Sequence, residues 1–250
     1  MNNETTEITL EDFANPTHSW HAMNDPVMGG KSHSKVSIQD GFGTFDGEVV
    51  DVPFLHAPGF ITMRGKGDYP DVSSCQSIKL TTRAAVPYAG YRISFGKKHV
   101  PGNRYAYGYK ANFDPQVGNE MGEVEIPFHD FTVRWDDATG DAITTCEENE
   151  SFCPDVKTLQ NMKTISIWGE GVAGKVQLEI ESIKATNCSE ASSIGKTASA
   201  NMFLRGIGQS GSVSLVILFG IIIAGFVGGF VIRRQSSPRQ TYSDLTNSTD

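Results

Sequence analysis

Between Phe42 and Thr186 apolar and polar side chains alternate in short runs, separated by Gly, Pro, Asp and Asn. Thr44-Phe45-Asp46-Gly47-Glu48-Val49, Phe60-Ile61-Thr62-Met63-Arg64 and Ser77 to Thr82 are three such runs. Tyr91 to Phe95, Tyr105 to Phe113, Glu123 to Phe128, Thr164 to Gly169 and Lys175 to Ile183 continue the series, and Ser34-Lys35-Val36-Ser37-Ile38 precedes it. Period two places successive side chains on opposite faces of a strand, and turn residues about every ten positions predict a β-sandwich or barrel of roughly eight or more strands. One polar face per strand excludes a doubly wound parallel sheet, whose strands read as unbroken apolar runs. Only Leu10 to Phe13 and Asp155 to Met162 offer helical patterns, and both are short.

The pattern stops after residue 186. Residues 187–212 are rich in Ser, Ala and Gly without periodicity and are expected to form a flexible stalk. Residues 213–232, VSLVILFGIIIAGFVGGFVI, carry no charge. At about 1.5 Å rise per residue such a run spans the hydrocarbon layer of a bilayer, so one transmembrane helix is expected. Arg233, Arg234 and Arg239 follow it, which places residues 233–250 in the cytosol and the rest on the non-cytosolic side, the single-pass type I arrangement. The secretory pathway or cell surface suits this better than a mitochondrion. Residues 1–17 form an N-terminal segment with neither a basic region nor an apolar core, so a leader is expected upstream of Met1.

Charge and cysteines narrow the function classes. A net charge of −8 argues against nucleic acid, which needs a positive field. The four cysteines all precede the apolar run. Cys146 and Cys153 bracket the short loop CEENESFC and suggest a local disulfide, which leaves Cys75 to pair with Cys188. Asn3, Asn149 and Asn187 head N-x-S/T sequons and are candidate glycosylation sites.

Catalytic motifs are missing. Gly29-Gly30-Lys31-Ser32 lacks the earlier glycine of a phosphate loop, has Asp25 in its place, and leads into a strand pattern. The six histidines are scattered, and the acids between Asp136 and Asp155 match no calcium-loop spacing. No metal and no cofactor is expected. Tyr105, Tyr107 and Tyr109 alternate, so one face of one strand would present their rings to a sugar.

Trp20 to Ser32, WHAMNDPVMGGKS, resembles the opening signature of the complex I intermediate-associated protein 30 family. Phe45-x-Gly47, Gly59-Phe60 with Arg64, Glu125-Ile126-Pro127-Phe128 with Phe131, Ile165-Ser166-Ile167 and Leu178 to Ile183 are similar to its later segments. The resemblance covers about residues 18–186 and implies a galactose-binding-like jelly roll with a non-enzymatic role in assembling membrane complexes. The chain departs from the family at Met121-Gly122, where a strand tryptophan is usual, and at Asp136 to Gly140, which replaces an Arg-Gly pair. In physical terms the Met-Gly-Gly block is a turn. Its candidate binding residues are Asn24, Asp25, Met28, Gly29, Gly30 and Ser32, with Trp20 and Met28 expected to pack beneath. The leading expectation is a membrane-anchored, non-catalytic domain that binds protein partners, such as membrane complex subunits, as an assembly or scaffolding factor. The alternative is a carbohydrate-binding, lectin-like ectodomain.

Overall fold

The structure is a computed structural model of the chain and describes residues 6–25, 29–53, 56–104 and 106–189. Two antiparallel sheets face each other. The six-stranded sheet runs β11 (Gly122–Pro127), β8 (Ser77–Ala84), β13 (Gly174–Cys188), β4 (Phe42–Val49) and β3 (His33–Gln39), with β1 (Thr6–Asp12) paired to the far half of β13. The five-stranded sheet runs β10 (Tyr109–Asn112), β9 (Tyr91–Phe95), β12 (Thr164–Glu170), β7 (Phe60–Lys66) and β2 (Ser19–Asn24). A small hairpin, β5 (Asp51–Val52) with β6 (Ala57–Pro58), one α-helix, α1 (Val156–Gln160), and two short 3-10 turns, Phe128–Asp130 and Glu150–Phe152, complete the described elements. This mostly-β sandwich is the expected class.

Alternation explains the core. Ile61 and Met63 on β7, Ile165 and Ile167 on β12, and Tyr91, Ile93 and Phe95 on β9 are all buried between the sheets. They meet Phe45 on β4, Ile78 and Leu80 on β8, and Val176, Leu178 and Ile180 on β13 in one cluster. On β13 the buried set changes parity, from Val176, Leu178 and Ile180 to Ile183 and Ala185. A register shift against β8 between Ile180 and Ser182 supplies the change. One extra residue turns every later side chain to the other face, so the bulge keeps a fifteen-residue strand apolar inward at both ends.

Two elements differ from the sequence reading. Leu10 to Phe13 was a helical candidate within an N-terminal segment outside the sandwich. Instead β1 pairs with β13 from Thr6↔Cys188 to Asp12↔Ser182, and Leu10 and Phe13 enter the core. The competing interactions are non-local: Glu7 binds Lys79 on β8 and Lys184 on β13 at 2.6 and 3.0 Å, which a helix could not arrange. The strand expected from Tyr105 begins only at Tyr109. The helix expected near Asp155 does form. Asp155 caps it by accepting from the Thr158 N–H at 2.7 Å, and its carboxylate also accepts from the Tyr109 hydroxyl and Lys98.

Cys75–Cys188 and Cys146–Cys153 are both disulfides. The first joins the segment before β8 to the end of β13 and closes 113 residues of sequence, which the chain-entropy account values at about 5 kcal/mol as an upper figure. No helix among the described residues is long and apolar enough to cross a membrane. Asn187 and Cys188, expected to open the stalk, instead end β13, paired and disulfide-bonded; residues 190–212, the apolar run 213–232, the tail, Asn3 and Met28 lie outside the described residues.

Candidate functional site

The described residues of the turn that the sequence singled out bond mainly to one another, although Asp25 Oδ1 is buried without a hydrogen-bond partner. Asn24 ends β2, and its side-chain oxygen accepts from the Ser34 hydroxyl at 2.6 Å. Asp25 is buried and accepts from the Ser32 hydroxyl at 3.1 Å, while Ser32 Oγ accepts from the Val50 N–H at 3.0 Å. Gly29 has φ +68°, the left-handed region that favours glycine. Gly59 is required for another reason: a Cβ there would overlap the Asp25 carboxylate and Ser32 Oγ. Asn24, Asp25, Gly30 and Ser32 are thus brought together as a brace between β2, the start of β3 and the β6–β7 junction. Trp20 does not lie beneath them. Its ring packs on Phe13 at 5.3 Å and its Nε1 donates to buried Glu11 at 2.8 Å, so it ties β2 to β1.

A different region has the geometry of a binding site. The outer face of the five-stranded sheet is polar along its registers. One cross-strand row reads His21, Arg64, Ser166, Ser94, Lys110 from edge to edge, and the next reads Met23, Thr62, Trp168, Arg92, Asn112. Residues after Phe131 fold back over one end of this face. Thr132 and Lys110 exchange backbone hydrogen bonds at 2.9 and 3.0 Å, and the Trp135 indole donates to the Gly108 carbonyl at 3.0 Å. What stays open is a cleft of about 550 Å³. Ser94, Ser166 and Trp168 line it from the sheet, with Met23 and Phe60 from one side and Lys97, Tyr107, Trp135 and Asp137 also contributing.

Beneath the covering segment lies a buried charge cluster. The Lys110 ammonium sits 2.5 Å from the Glu170 carboxylate and over two indoles, 3.5 Å from the Trp135 ring centre and 3.9 Å from that of Trp168. Burial pushes Lys110 down to about 8, against the opposing pull of Glu170. Arg92 donates to the Glu170 carbonyl at 2.8 Å and to the Asp141 carboxylate at 2.6 Å. These pairs hold the covering segment and the Trp168 ring in place. Trp168 is further fixed by donating to the Ser94 hydroxyl at 2.7 Å. Arg64 is only half-buried and donates Nε to the Ser166 hydroxyl at 3.0 Å.

Of the three alternating tyrosines, Tyr109 is in the core, Tyr105 lies outside the described residues, and Tyr107 lines the cleft. Tyr107 is 54% exposed and stacks on His99 at 4.4 Å. The single-face platform is therefore overturned: with the strand starting at Tyr109, Tyr107 precedes it and follows no strand register. Arg64, Ser94, Ser166 and Trp168 were not legible as site residues because they are spread over three separate runs, on β7, β9 and β12. The even positions of β12, Ser166, Trp168 and Glu170, were the available signal. Asn149 caps a short turn by accepting from the Ser151 N–H, and Asn187 donates its amide to Glu125 at 2.8 Å.

A family model described as Complex I intermediate-associated protein 30 (CIA30) matches residues 11–180. The chain belongs to this family. A search of curated proteins finds no match to the CIA30 chain. Among solved structures it is similar to a family 11 carbohydrate-binding module from Clostridium thermocellum in complex with a beta-1,3-1,4-mixed-linked tetrasaccharide. That likeness has 18% identity, covers 72% of this chain and 94% of the module, and has a TM-score of 0.48. A family 29 carbohydrate-binding module is also similar, at 8% identity, 74% and 91% coverage and a TM-score of 0.36.

Proposed function

We propose that this CIA30 domain is a non-catalytic recognition domain whose ligand occupies the cleft over β12, and that the ligand is a carbohydrate. The cleft itself carries the reading. A sugar ring offers an apolar C–H face and a rim of hydroxyls. The cleft sets exposed ring surface of Tyr107 and the half-buried Phe60 beside the fixed polar groups of Ser94, Ser166 and Arg64. Its buried acid, Glu170, is engaged by Lys110, which suits binding better than proton transfer. Two disulfides fit an oxidising, extracellular or secretory-type compartment, where free and cell-surface glycans occur. Together with the charge-free run 213–232, they support a membrane-anchored ectodomain. Titration calorimetry of the full-length chain in detergent against an oligosaccharide panel tests this. Binding that Trp168→Ala weakens by about tenfold or more is expected. A panel with no binder removes the reading.

The family supports a second reading, in which the domain binds protein partners as an assembly or scaffolding factor. The match over residues 11–180 favours it. Crosslinking in native membranes followed by recovery of a defined set of membrane-complex subunits is the expected result, and recovery of none would end it.

A further inference from the structure

Arg64 is a half-buried cation of the cleft that no described carboxylate pairs. Its neighbours in the cross-strand row, His21, Ser166, Ser94 and Lys110, include no acid. The other cations of this face are neutralised, Lys110 by Glu170 and Arg92 by Asp141. Arg64 forms no ion pair with a described carboxylate; its hydrogen bond is the one from Nε to Ser166 Oγ. Burial lowers its proton affinity, and no acidic neighbour opposes that effect.

We propose that the cleft selects an acidic saccharide, whose anionic oxygens bind the Nη1–Nη2 edge of Arg64; this rests on the carbohydrate reading above. Ser166 holds Nε, so it fixes the guanidinium plane and leaves the end-on pair of nitrogens for a ligand. A carboxylate or sulfate matches that pair with two parallel hydrogen bonds, and a neutral hydroxyl makes one at most. A guanidinium withdrawn from water without a counter-ion is costly, and an incoming anion offsets the cost. Lys97, exposed and without an ion pair among the described residues, adds a second positive charge to the lining. Asp137 opposes it, but it accepts from the Arg104 N–H at 3.0 Å. The charged residues lining the cleft are Arg64 and Lys97 against Asp137 and Glu170, and Glu170 is engaged by Lys110.

The test is calorimetry on the full-length chain in detergent with four probes: a neutral oligosaccharide, a glucuronate-containing one, a sulfated one and a poly-glutamate peptide. The acidic saccharides should bind about tenfold or more tightly than the neutral one, and whichever binds tighter names the anion. Arg64→Gln should abolish that preference while leaving the melting temperature unchanged. On the unaltered chain, raising NaCl from low to high concentration should weaken the acidic saccharides and spare the neutral one, a readout that does not depend on any variant folding. Equal affinity for neutral and acidic saccharides would overturn the selection and leave the carbohydrate reading standing. Binding of the peptide alone would overturn both.

Discussion

The Asn24–Ser32 turn and the β12 cleft are both rich in polar side chains, and they use them in opposite ways. Among the described residues of the turn most groups answer a near neighbour: Asp25 Oδ2 accepts from Ser32, Ser32 from Val50 N–H, and Asn24 from Ser34, while Asp25 Oδ1 is buried without a hydrogen-bond partner. Glycine at position 59 lets the carboxylate nest against backbone. In the cleft the polar groups come from β7, β9 and β12, and Tyr107 and the end of Arg64 face open space. Polar side chains that bond to one another make a brace. Polar side chains that a sheet holds apart make a surface for something else.

The largest effect is expected under the cleft. Lys110→Met removes the cation from Glu170 and leaves a buried carboxylate, at a cost of about 3–5 kcal/mol in urea unfolding. Adding Glu170→Leu should recover most of it, since apolar replacement of both partners is near neutral. The pair also has a pH signature. The folded Lys110 titrates at about 8, below the ordinary lysine value of roughly 10.4, so between those values the unfolded chain binds more protons. Stability contributed by this group therefore rises with pH through that interval. Above about pH 10 the trend is masked by Tyr91 and Tyr109, which burial pushes up to about 12 and which lose stability as unfolded tyrosines ionise. Melting curves from pH 8 to 10 should show the rise in the parent and not in Lys110→Met. A parallel slope in both would remove the buried pair from the account.

Next comes the brace. Gly59→Ala drives a Cβ into Asp25 and Ser32 and is expected to cost about 2 kcal/mol. The nearest overlapping atoms belong to Asp25 and Ser32, so in an Asp25→Ala background the penalty should fall below about 1 kcal/mol. Additive costs would mean that the turn is held by something other than that contact.

Smaller again is Asp25→Ala itself, at about 1 kcal/mol, for the lost hydrogen bond from Ser32. Recovery of ligand or partner should fall only in proportion to folded protein. Loss of binding at an unchanged melting temperature would move the functional site to this turn and reverse the comparison.

The same contrast explains what the sequence disclosed. Alternation in Thr164 to Gly169 and Lys175 to Ile183 reports directly which side chains face the core, so the sandwich was readable run by run. The disulfide pairing was readable too, because a seven-residue spacing leaves few alternatives. The β1 strand was not readable, since its reward is Lys79 and Lys184, far away in sequence. The turn looked like a site because its residues are adjacent and resemble a family signature. The cleft was hidden for the opposite reason: Arg64 and Ser166 lie 102 positions apart, and only strand register makes them neighbours. Tyr107 was noticed for an alternation that the fold does not keep.

The smallest stability change is expected at Tyr107, where the comparison is sharpest. Its ring is 54% exposed, stacks only on the exposed His99 among described aromatic residues, and borders the cleft. Truncation exposes no core atoms, so Tyr107→Ala should change unfolding free energy by less than about 0.5 kcal/mol. Tyr109→Ala, two residues on, should cost about 3–5 kcal/mol, because that ring is buried between Phe95 and the core and its hydroxyl donates to Asp155. Saccharide affinity should show the reverse asymmetry when measured on folded protein. Tyr107→Ala loses a stacking face worth about 1 kcal/mol or more, and Tyr109→Ala, where it folds, loses none of the cleft. A Tyr107→Ala chain that binds as the parent does would leave the ring a surface ornament and shift the recognition to Phe60 and Trp168.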